Sequence, residues 1–273
     1  MVVITQWIFE FPTHDMIFWK VFIYWHFRFK WLIKRPFKIN SYLYCLCVDS
    51  LGIFKYDVYR SPNVGIYTKV NDKFVFVPNG FAVTKARNLA EFLKTDYLFT
   101  SVANTRLLGP LMVVNNNGII LPRNSLEEEL THLKKSTDLN VAILDTKYTA
   151  VGNLICANDR GCIMSPMIPH EYVKKVQDVL GIEVLQKRIA RYHQAGAMAV
   201  ATLNGGIIHP DTEEDDIRLI SEILGVKLEA ATINGGIPFV ASGILANNKS
   251  LVVGTLTNGP ELVMLTRAFR VED

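Results

Sequence analysis

The cysteines are the residues best suited to nucleophilic chemistry, and their positions argue against it. A cysteine attacks a substrate when a neighbouring base or cation turns its thiol into a thiolate. Cys156 and Cys162 lie in two apolar segments that read as strands, whereas Cys45 and Cys47 lie in an aromatic-rich stretch near the start of the chain. We interpret Cys156 and Cys162 as small apolar side chains packed in a core.

The histidines, glycine pairs and acidic runs are no more suggestive of chemistry. Four histidines are scattered without the spacing of metal ligands: His132, His170, His193 and His209. The pairs Gly205-Gly206 and Gly235-Gly236 read as turns rather than phosphate loops. The acidic runs Glu127–Glu129 and Glu213–Asp216 read as solvated helix starts, where carboxylates suit the helix dipole. The sequence therefore predicts no catalytic residue, no cofactor and no metal.

The overall composition is that of a folded protein with one or two domains. The chain has 273 residues, of which 49% are apolar and 20% charged. Four cysteines are too few for a disulfide-dense scaffold. A net charge of +3 excludes a strongly basic nucleic-acid-binding footprint over the whole chain.

Residues 1–50 differ sharply from the rest. They hold 14 of the 29 aromatic residues, including all four tryptophans, and carry the whole net charge of +3. The most apolar stretch, Met16–Ile33, is interrupted by Lys20, Arg28 and Lys30. Each central charge costs a membrane span roughly 2.5–3.5 kcal/mol, so we expect no spanning helix and no membrane partner.

Residues 1–50 also lack the features of a signal peptide, which needs an uninterrupted apolar stretch and a small-residue cleavage site. A basic, aromatic helix lying at a membrane surface is one alternative. We favour another interpretation, in which this segment is translated from DNA upstream of the true start and Val48 or Leu51 is the first codon. On that interpretation the fold occupies residues 51–273.

An anchor pair recurs five times between residues 60 and 270. Its second residue is a glycine four times and an alanine once, at intervals of 44, 43, 44 and 45 residues: Gly65, Gly109, Gly152, Gly196 and Ala241. Asparagine follows six residues later in four repeats: Asn71, Asn115, Asn158 and Asn247. Proline follows thirteen or fourteen residues after four of the anchors: Pro78, Pro122, Pro166 and Pro210. This self-similarity predicts five repeats, at about 60–103, 104–146, 147–190, 191–235 and 236–273.

Each repeat reads as strand, strand, helix, strand. Asn117-Gly118 and Asn204-Gly205 predict hairpin turns because both residue types tolerate positive φ. Proline then ends the second strand because it cannot donate to a sheet. The third strands are predicted at Val141–Leu144, Glu183–Leu185 and Lys227–Ala231.

The intervening helices carry recognisable start and stop residues. Ser125 with Glu128 forms a capping-box pattern, and Asp211 or Thr212 is placed to cap the helix of the fourth repeat. Gly181 and Gly225 are placed to end two of the helices.

The two ends of the repeat array predict a closed ring. The fifth helix, at about Pro260–Phe269, is followed by only four residues, too few for a third strand. A strand-like run, Gly52–Tyr59, precedes the first repeat and can supply that strand. The helices exclude a β-propeller, whose blades are all strand. A strand–helix solenoid fits the repeat, but closure also removes exposed sheet edges.

A closed α/β ring of five such units, with five-fold pseudo-symmetry, is the pentein architecture, also described as an α/β propeller. The sequence resembles the translation initiation factor 6 family in its archaeal form, over about Leu51–Val271. The resemblance rests on four short stretches in order: Ala150–Asn153 with Asn158-Asp159, Gly205–Pro210, Thr232–Asn234 and Thr257–Leu262. Ala231 and Asn258 depart from the family's usual glycine and threonine.

The resemblance implies a translation initiation and ribosome biogenesis factor rather than an enzyme. Members of the family bind the subunit-joining face of the large ribosomal subunit, chiefly against the ribosomal protein of the L-fourteen family, and sterically block the small subunit. Residues 51–273 have zero net charge, which also favours a protein partner with minor rRNA contact. The resemblance further implies a cytoplasmic protein, which we expect to be a monomer, released by a translational GTPase and its partner.

The alternative function is that of the guanidine-modifying pentein enzymes, which are hydrolases or amidinotransferases. The resemblance places their nucleophilic cysteine in the fifth repeat. Here the fourth and fifth repeats contain no cysteine, so we disfavour this alternative.

Six residues are the candidates for the ribosome interface: Gly65, Arg106, Gly109, Asn153, Thr257 and Asn258. The anchor glycines allow a partner's backbone to approach closely, although packing between repeats explains them equally well. Arg106 and Asn153 match family positions at the ribosomal contact by resemblance. Thr257 and Asn258 are a further contact or, alternatively, part of the start of the fifth helix.

Overall fold

The computed structural model describes residues 52–271. The chain divides into two units after Val48, and everything below concerns the second, Asp49–Asp273. The predictions for residues 1–50, including the alternative start, lie outside the described residues. Between Gly52 and Val271, no helix has the length and apolar character needed to cross a membrane.

Five three-stranded sheets form the ring, each with an inner, a middle and an outer strand. The inner strands are β2 (Lys69–Val70), β5 (Val113–Val114), β8 (Ile155–Ala157), β11 (Ala199–Ala201) and β14 (Ile244–Ala246). The middle strands are β3 (Phe74–Pro78), β6 (Gly118–Pro122), β9 (Gly161–Met164), β12 (Gly206–Ile208) and β15 (Ser250–Gly254). Each middle strand pairs antiparallel with the inner strand of its sheet, which confirms the predicted hairpins.

The outer strand of each sheet runs parallel to the middle strand, as a strand–helix–strand crossover requires. These strands are β4 (Asp96–Thr100), β7 (Asn140–Leu144), β10 (Glu183–Gln186), β13 (Leu228–Ala230) and β1 (Gly52–Tyr56). The fifth sheet takes β1 from the beginning of the described chain, in register from Gly52 opposite Ser250 to Tyr56 opposite Gly254. The predicted closure of the ring is therefore confirmed.

One long helix follows each middle strand: α2 (Val83–Leu93), α4 (Glu127–Ser136), α6 (Val173–Leu180), α8 (Glu214–Leu224) and α9 (Gly259–Ala268). The apolar core lies between neighbouring repeats rather than within each one. The third repeat's cluster, for example, contains Val176 and Leu180 of α6 together with Val113 and Ile120 of the second repeat. A repeat that buries its apolar face only against its neighbours has no stability alone.

Two predicted helix starts are wrong by one or two residues. Helix α4 begins after Leu126, whose N–H donates to the Glu129 carboxylate at 3.0 Å, instead of after Ser125 with Glu128. The same carboxylate accepts hydrogen bonds from the loop at residues 101–104. Helix α8 follows Glu213, whereas the buried Thr212 hydroxyl donates to the His209 carbonyl at 2.7 Å. The predicted stops hold, since Gly181 (φ +68°) and Gly225 (φ +64°) end α6 and α8 in the left-handed conformation.

The anchors begin with helical turns and not with strands as predicted. The short helices are α1 (Val64–Tyr67), α3 (Leu108–Leu111), α5 (Val151–Leu154) and α7 (Ala195–Met198), and a 3₁₀ turn, Val240–Ser242, takes their place in the fifth repeat. These turns touch one another in a circle around one end of the ring. The inner strands run from this circle to the hairpin turns at the opposite end, so the ring has two distinct mouths.

Candidate interaction face

The anchor glycines are buried by contact between repeats. A Cβ on Gly109 would lie 1.8 Å from the Gly65 carbonyl oxygen, and one on Gly65 would lie 2.0 Å from that of Ala241. Gly152 and Gly196 meet the preceding anchor in the same way, at 2.1 and 2.2 Å. The geometry thus explains Gly65 and Gly109 by packing, and neither is exposed to a partner.

The loops that precede the anchors lie together at this mouth because the repeats are equivalent. We call them the loop face: residues 57–63, 101–107, 145–150, 187–194 and 232–239. The loop face contains six basic and two acidic residues. Four of its apolar side chains are about two-fifths exposed: Leu107, Tyr192, Ile237 and Phe239. A surface that mixes exposed aromatic, aliphatic and basic side chains is typical of protein interfaces.

Arg106 lies exposed on the loop face and is held by an aromatic neighbour. Its guanidinium carbon is 5.6 Å from the centre of the Tyr59 ring, within the range of a cation–π interaction. Tyr59 is fixed in turn by edge contacts with Tyr67 and Phe81 at 5.3 and 5.4 Å. A guanidinium positioned over a packed ring keeps its N–H donors available to a partner.

Asn153 sits on helix α5 at the inner rim of the loop face. Its equivalents in the other repeats are Ile66, Pro110, Ala197 and Ser242, all half-buried. The side-chain amide of Asn153 bonds to nothing between Gly52 and Val271. Asn153 therefore offers one unpaired amide in a mostly apolar rim.

Thr257 and Asn258 have structural partners instead. Thr257 is buried, and its hydroxyl donates to Asn234 Oδ1 at 3.2 Å. The exposed Asn258 caps helix α9, where its side chain accepts from the Glu261 N–H at 3.0 Å. These contacts favour the helix-start interpretation of both residues.

Two buried glutamates hold loops of the loop face in shape. Glu261 accepts hydrogen bonds from the N–H groups of Gly235 and Gly236 at 3.0 and 2.8 Å and from the Thr232 hydroxyl at 2.9 Å. Glu129 does the same for Ala103, Asn104 and Ser101.

Burial alone would raise the pKa of Glu129 and of Glu261, but the donated hydrogen bonds outweigh it and lower both pKa values. Both side chains are therefore carboxylates at neutral pH. The predicted interpretation of Glu127–Glu129 as a wholly solvated run is wrong for Glu129.

An aromatic cluster on the loop face was missed by the sequence analysis. The Tyr192 ring lies 5.3 Å from that of His209 and 6.0 Å from that of Phe239. His209 is buried, its Nδ1 accepts from the Asp211 N–H, and its Nε2 has no partner in the described part of the chain. Burial lowers the pKa of His209 despite the nearby Asp211 charge. Aromatic residues just before the fourth and fifth anchors were the available signal.

The opposite mouth is closed by side-chain hydrogen bonds, which we call the amide ring. Each asparagine six residues after its anchor donates to the backbone of the next repeat: Asn71 to Asn115 at 3.0 Å, Asn115 to Asn158 at 3.2 Å, Asn158 to Thr202 at 3.2 Å and Asn247 to Asn71 at 3.2 Å. The same side chains accept from the turns that they begin, as Asn115 does from Asn117 and Gly118. The turn at Asn117-Gly118 is therefore held by a side chain and does not use the positive φ that was predicted.

The two thiols among residues 52–271, Cys156 and Cys162, are unsuited to nucleophilic attack. Burial raises the pKa of Cys156 to about 12 against the opposing charge of Lys69, and raises that of Cys162 well above its ordinary value. Both side chains are packed in apolar clusters, as predicted. Within residues 52–271, His, Cys, Asp and Glu form no group of three suited to a metal ion.

Comparison with known proteins places this ring in a family. The profile of the eIF-6 family matches residues 53–268. The chain is 60% identical over 219 residues to Translation initiation factor 6 of Cenarchaeum symbiosum (strain A), covering 80% of this chain and 99% of that protein. Identity to the protein of the same name from Nitrosopumilus maritimus (strain SCM1) is 52%, over the same shares of the two chains.

The chain therefore belongs to the eIF-6 family, and its ring is a pentein fold. A more distant relative, Translation initiation factor 6 of Staphylothermus marinus, is 40% identical over 220 residues, covering 80% of this chain and 97% of that protein. Among solved structures, the N-terminal domain of ArgZ, an arginine dihydrolase, matches with a TM-score of 0.46 at 12% identity. It covers 82% of this chain and 89% of that one.

Proposed function

We propose that this protein is a translation initiation factor that binds the large ribosomal subunit through its loop face and sterically prevents the small subunit from joining. The observation that carries the proposal is the contrast between the two mouths of the ring. The amide ring is saturated with internal hydrogen bonds, whereas the loop face presents Arg106, Asn153 and exposed aromatic rings. Family membership supports the same role, because the similar archaeal proteins are named translation initiation factors.

The partner we propose is chiefly the ribosomal protein of the L-fourteen family, with minor rRNA contact. The loop face mixes apolar side chains with six basic and two acidic residues. The apolar side chains suit a protein surface, and the modest excess of basic residues adds attraction to nearby phosphates. Release by a translational GTPase and its partner, in the cytoplasm, belongs to the same proposal.

The alternative, a guanidine-modifying enzyme, lacks support from the site. Its nucleophile would be a thiolate, and the described thiols, Cys156 and Cys162, are buried with raised pKa values. We propose that the protein acts by occupying a surface and not by catalysis.

Co-sedimentation with purified archaeal large and small subunits tests the proposal. We expect the full-length chain to pellet with the large subunit only and to lower the yield of joined ribosomes. Asn153→Ala should weaken this binding about tenfold, the effect of losing roughly 1.4 kcal/mol of contact. Asn88→Ala, an exposed asparagine on helix α2, is the matched control and should bind like the unmodified protein.

Two results would contradict the proposal. Failure of the unmodified chain to pellet with large subunits at micromolar concentration and low salt would remove the ribosomal role. The second result is that Asn153→Ala binds like the unmodified chain while a substitution at the amide ring abolishes binding. The contact would then lie at the amide ring and not at the loop face.

A further inference from the structure

The centre of the ring contains a small cavity between the anchor helices and the amide ring. Its volume is about 80 Å³, and all five repeats contribute to its wall. Five equivalent residues, each four positions after its anchor, lie on this wall: Lys69, Val113, Cys156, Val200 and Leu245. The cavity is therefore a product of ring closure and is absent from any single repeat.

Lys69 is the exception among these five equivalent residues. Val113, Cys156 and Leu245 each belong to the apolar cluster of an adjacent repeat. The Cys156 thiol stays protonated because burial raises its pKa to about 12, and it donates to the Ala199 carbonyl at 3.4 Å. Lys69 is thus the cation among five equivalent wall residues of which the other four are uncharged.

The Lys69 ammonium has neither a hydrogen-bond nor an ion-pair partner anywhere in residues 52–271. The neighbouring Thr68 hydroxyl is directed to the Val64 carbonyl at 2.7 Å. The carboxylates towards the amide end, Asp72 and Asp159, accept from the Asn116 amide at 2.6 and 2.7 Å. No described side chain therefore compensates the lysine.

An isolated charge out of water is costly unless a counter-ion accompanies it. Burial accordingly lowers the pKa of Lys69, with Cys156 acting in the opposite direction. An ammonium that lines a cavity without a carboxylate beside it is suited to an anion.

We propose that the cavity binds a small inorganic anion of the halide class on the Lys69 ammonium. A cavity needs a volume of roughly 10–15 Å³ to hold a single water. The cavity of about 80 Å³ therefore accommodates a monatomic anion with a few waters. Because all five repeats form the wall of the cavity, the anion site on Lys69 exists only in the closed ring.

Bromide serves as the probe because it scatters anomalously. We expect crystals of the full-length protein soaked in sodium bromide to show an anomalous peak within hydrogen-bonding distance of Lys69 Nζ. The peak should disappear in Lys69→Met and persist in Lys73→Met, which alters an exposed lysine at the end of the same hairpin.

A solution measurement keeps the proposal testable if Lys69→Met does not fold. We expect the NMR titration midpoint of the Lys69 ammonium to be higher in chloride than in gluconate, an anion too large for the cavity. The shift should correspond to at least about tenfold tighter chloride binding to the charged form, as a charge-assisted hydrogen bond provides. An unchanged midpoint together with no bromide peak would overturn the proposal and leave only water around the lysine. This result would not bear on ribosome binding, which is measured separately at the loop face.

Discussion

The two mouths of the ring are built from the same five repeats, but equivalent positions are mostly occupied by the same residue at one mouth and by different residues at the other. At the amide ring, four repeats use asparagine in the same role, because each side chain must bridge to the next repeat. At the rim of the loop face, the five equivalent positions hold five different residues, of which Asn153 is one. Positions that link repeats are kept alike, whereas positions free of that task differ and are available for recognition.

The fourth repeat shows how the amide ring tolerates an exception. Thr202 replaces asparagine there and is too short to bridge. Asn204 and Asn248 take over, with Asn204 Nδ2 donating to the Asn248 carbonyl at 3.0 Å and the Leu203 N–H donating to Asn248 Oδ1 at 2.7 Å. Different atoms thus form the hydrogen bonds between the fourth and fifth repeats. This indicates that the role of these residues is to close this mouth of the ring.

Gly109→Ala should have the largest effect on stability, because the anchor circle joins all five repeats. The new methyl group would lie 1.8 Å from the Gly65 carbonyl oxygen, and backbone has little room to move. We expect a loss of about 3 kcal/mol or more in the free energy of unfolding, measured by urea denaturation. Gly259→Ala is the control, since no heavy atom lies within 4 Å of its added Cβ. Equal effects of the two substitutions would contradict the packing role of the anchors.

Asn115→Ala should open the amide ring at one seam. The substitution leaves the Asn158 and Leu180 carbonyls and the N–H groups of Asn117 and Gly118 without their partner. We expect a loss of about 2–3 kcal/mol in the free energy of unfolding, since buried groups are left unpaired. Thr202→Ala, at the equivalent position without a bridge, should cost clearly less in the same urea experiment. The reverse order would show that the bridges do not stabilise this mouth.

Glu261→Gln should loosen the loop face from beneath. We expect a loss of roughly 1–2 kcal/mol in stability, because an amide replaces a carboxylate that accepts several hydrogen bonds. The unmodified protein should also lose stability on acidification. The folded pKa of Glu261 lies below its ordinary value of 4.5. Its contribution is therefore complete well above pH 4.5 and declines as the pH falls towards the folded pKa.

Unfolding curves measured from neutral pH down through that range test the Glu261 prediction. The difference between the unmodified protein and Glu261→Gln should shrink as the pH falls. Glu128→Gln, which alters an exposed glutamate of helix α4, should show a small difference throughout. A difference in unfolding free energy between the unmodified protein and Glu261→Gln that does not change with pH would contradict the stabilising role of the Glu261 carboxylate.

Arg106→Ala should have the smallest effect on stability and should still weaken binding through the loop face. The exposed guanidinium contributes only a cation–π contact with Tyr59, worth about 0.5–1 kcal/mol at an exposed site. Under the proposed function, large-subunit binding in co-sedimentation should nonetheless fall, whereas Lys134→Ala on the outer helix α4 should leave it unchanged. Loss of stability without loss of binding would assign Arg106 to the fold alone.

Sequence reasoning went furthest where local chemistry repeats. The spacing of anchors, asparagines and prolines predicted five units, and the missing last strand predicted that Gly52–Tyr59 closes the ring. Boundaries were less secure, since Glu129, at the start of helix α4, accepts from the N–H of Asn104, which lies 25 residues earlier in the chain. Such a contact leaves no local signal.

The candidate site was predicted less completely than the fold. Arg106 and Asn153 lie where a partner can reach them, whereas Gly65, Gly109 and Thr257 are buried. A glycine at an anchor allows close approach either by a partner's backbone or by the neighbouring repeat. The structure favours the neighbouring repeat, because an added Cβ would lie 1.8–2.2 Å from the carbonyl oxygen of the preceding anchor. The cluster of Tyr192, His209 and Phe239 joins residues of two repeats, and no spacing rule within one repeat reveals it.

Local periodicity and short motifs in a fixed order were enough to predict the number of repeats, their strand–strand–helix–strand order and the resemblance to the family. Which equivalent residues face a neighbour and which face outward became visible only in the folded ring. The folded ring alone also encloses Lys69 in a cavity made by all five repeats. The physical reason is that a repeat without its own core acquires its environment from its neighbours, and those contacts exist only once the ring is closed.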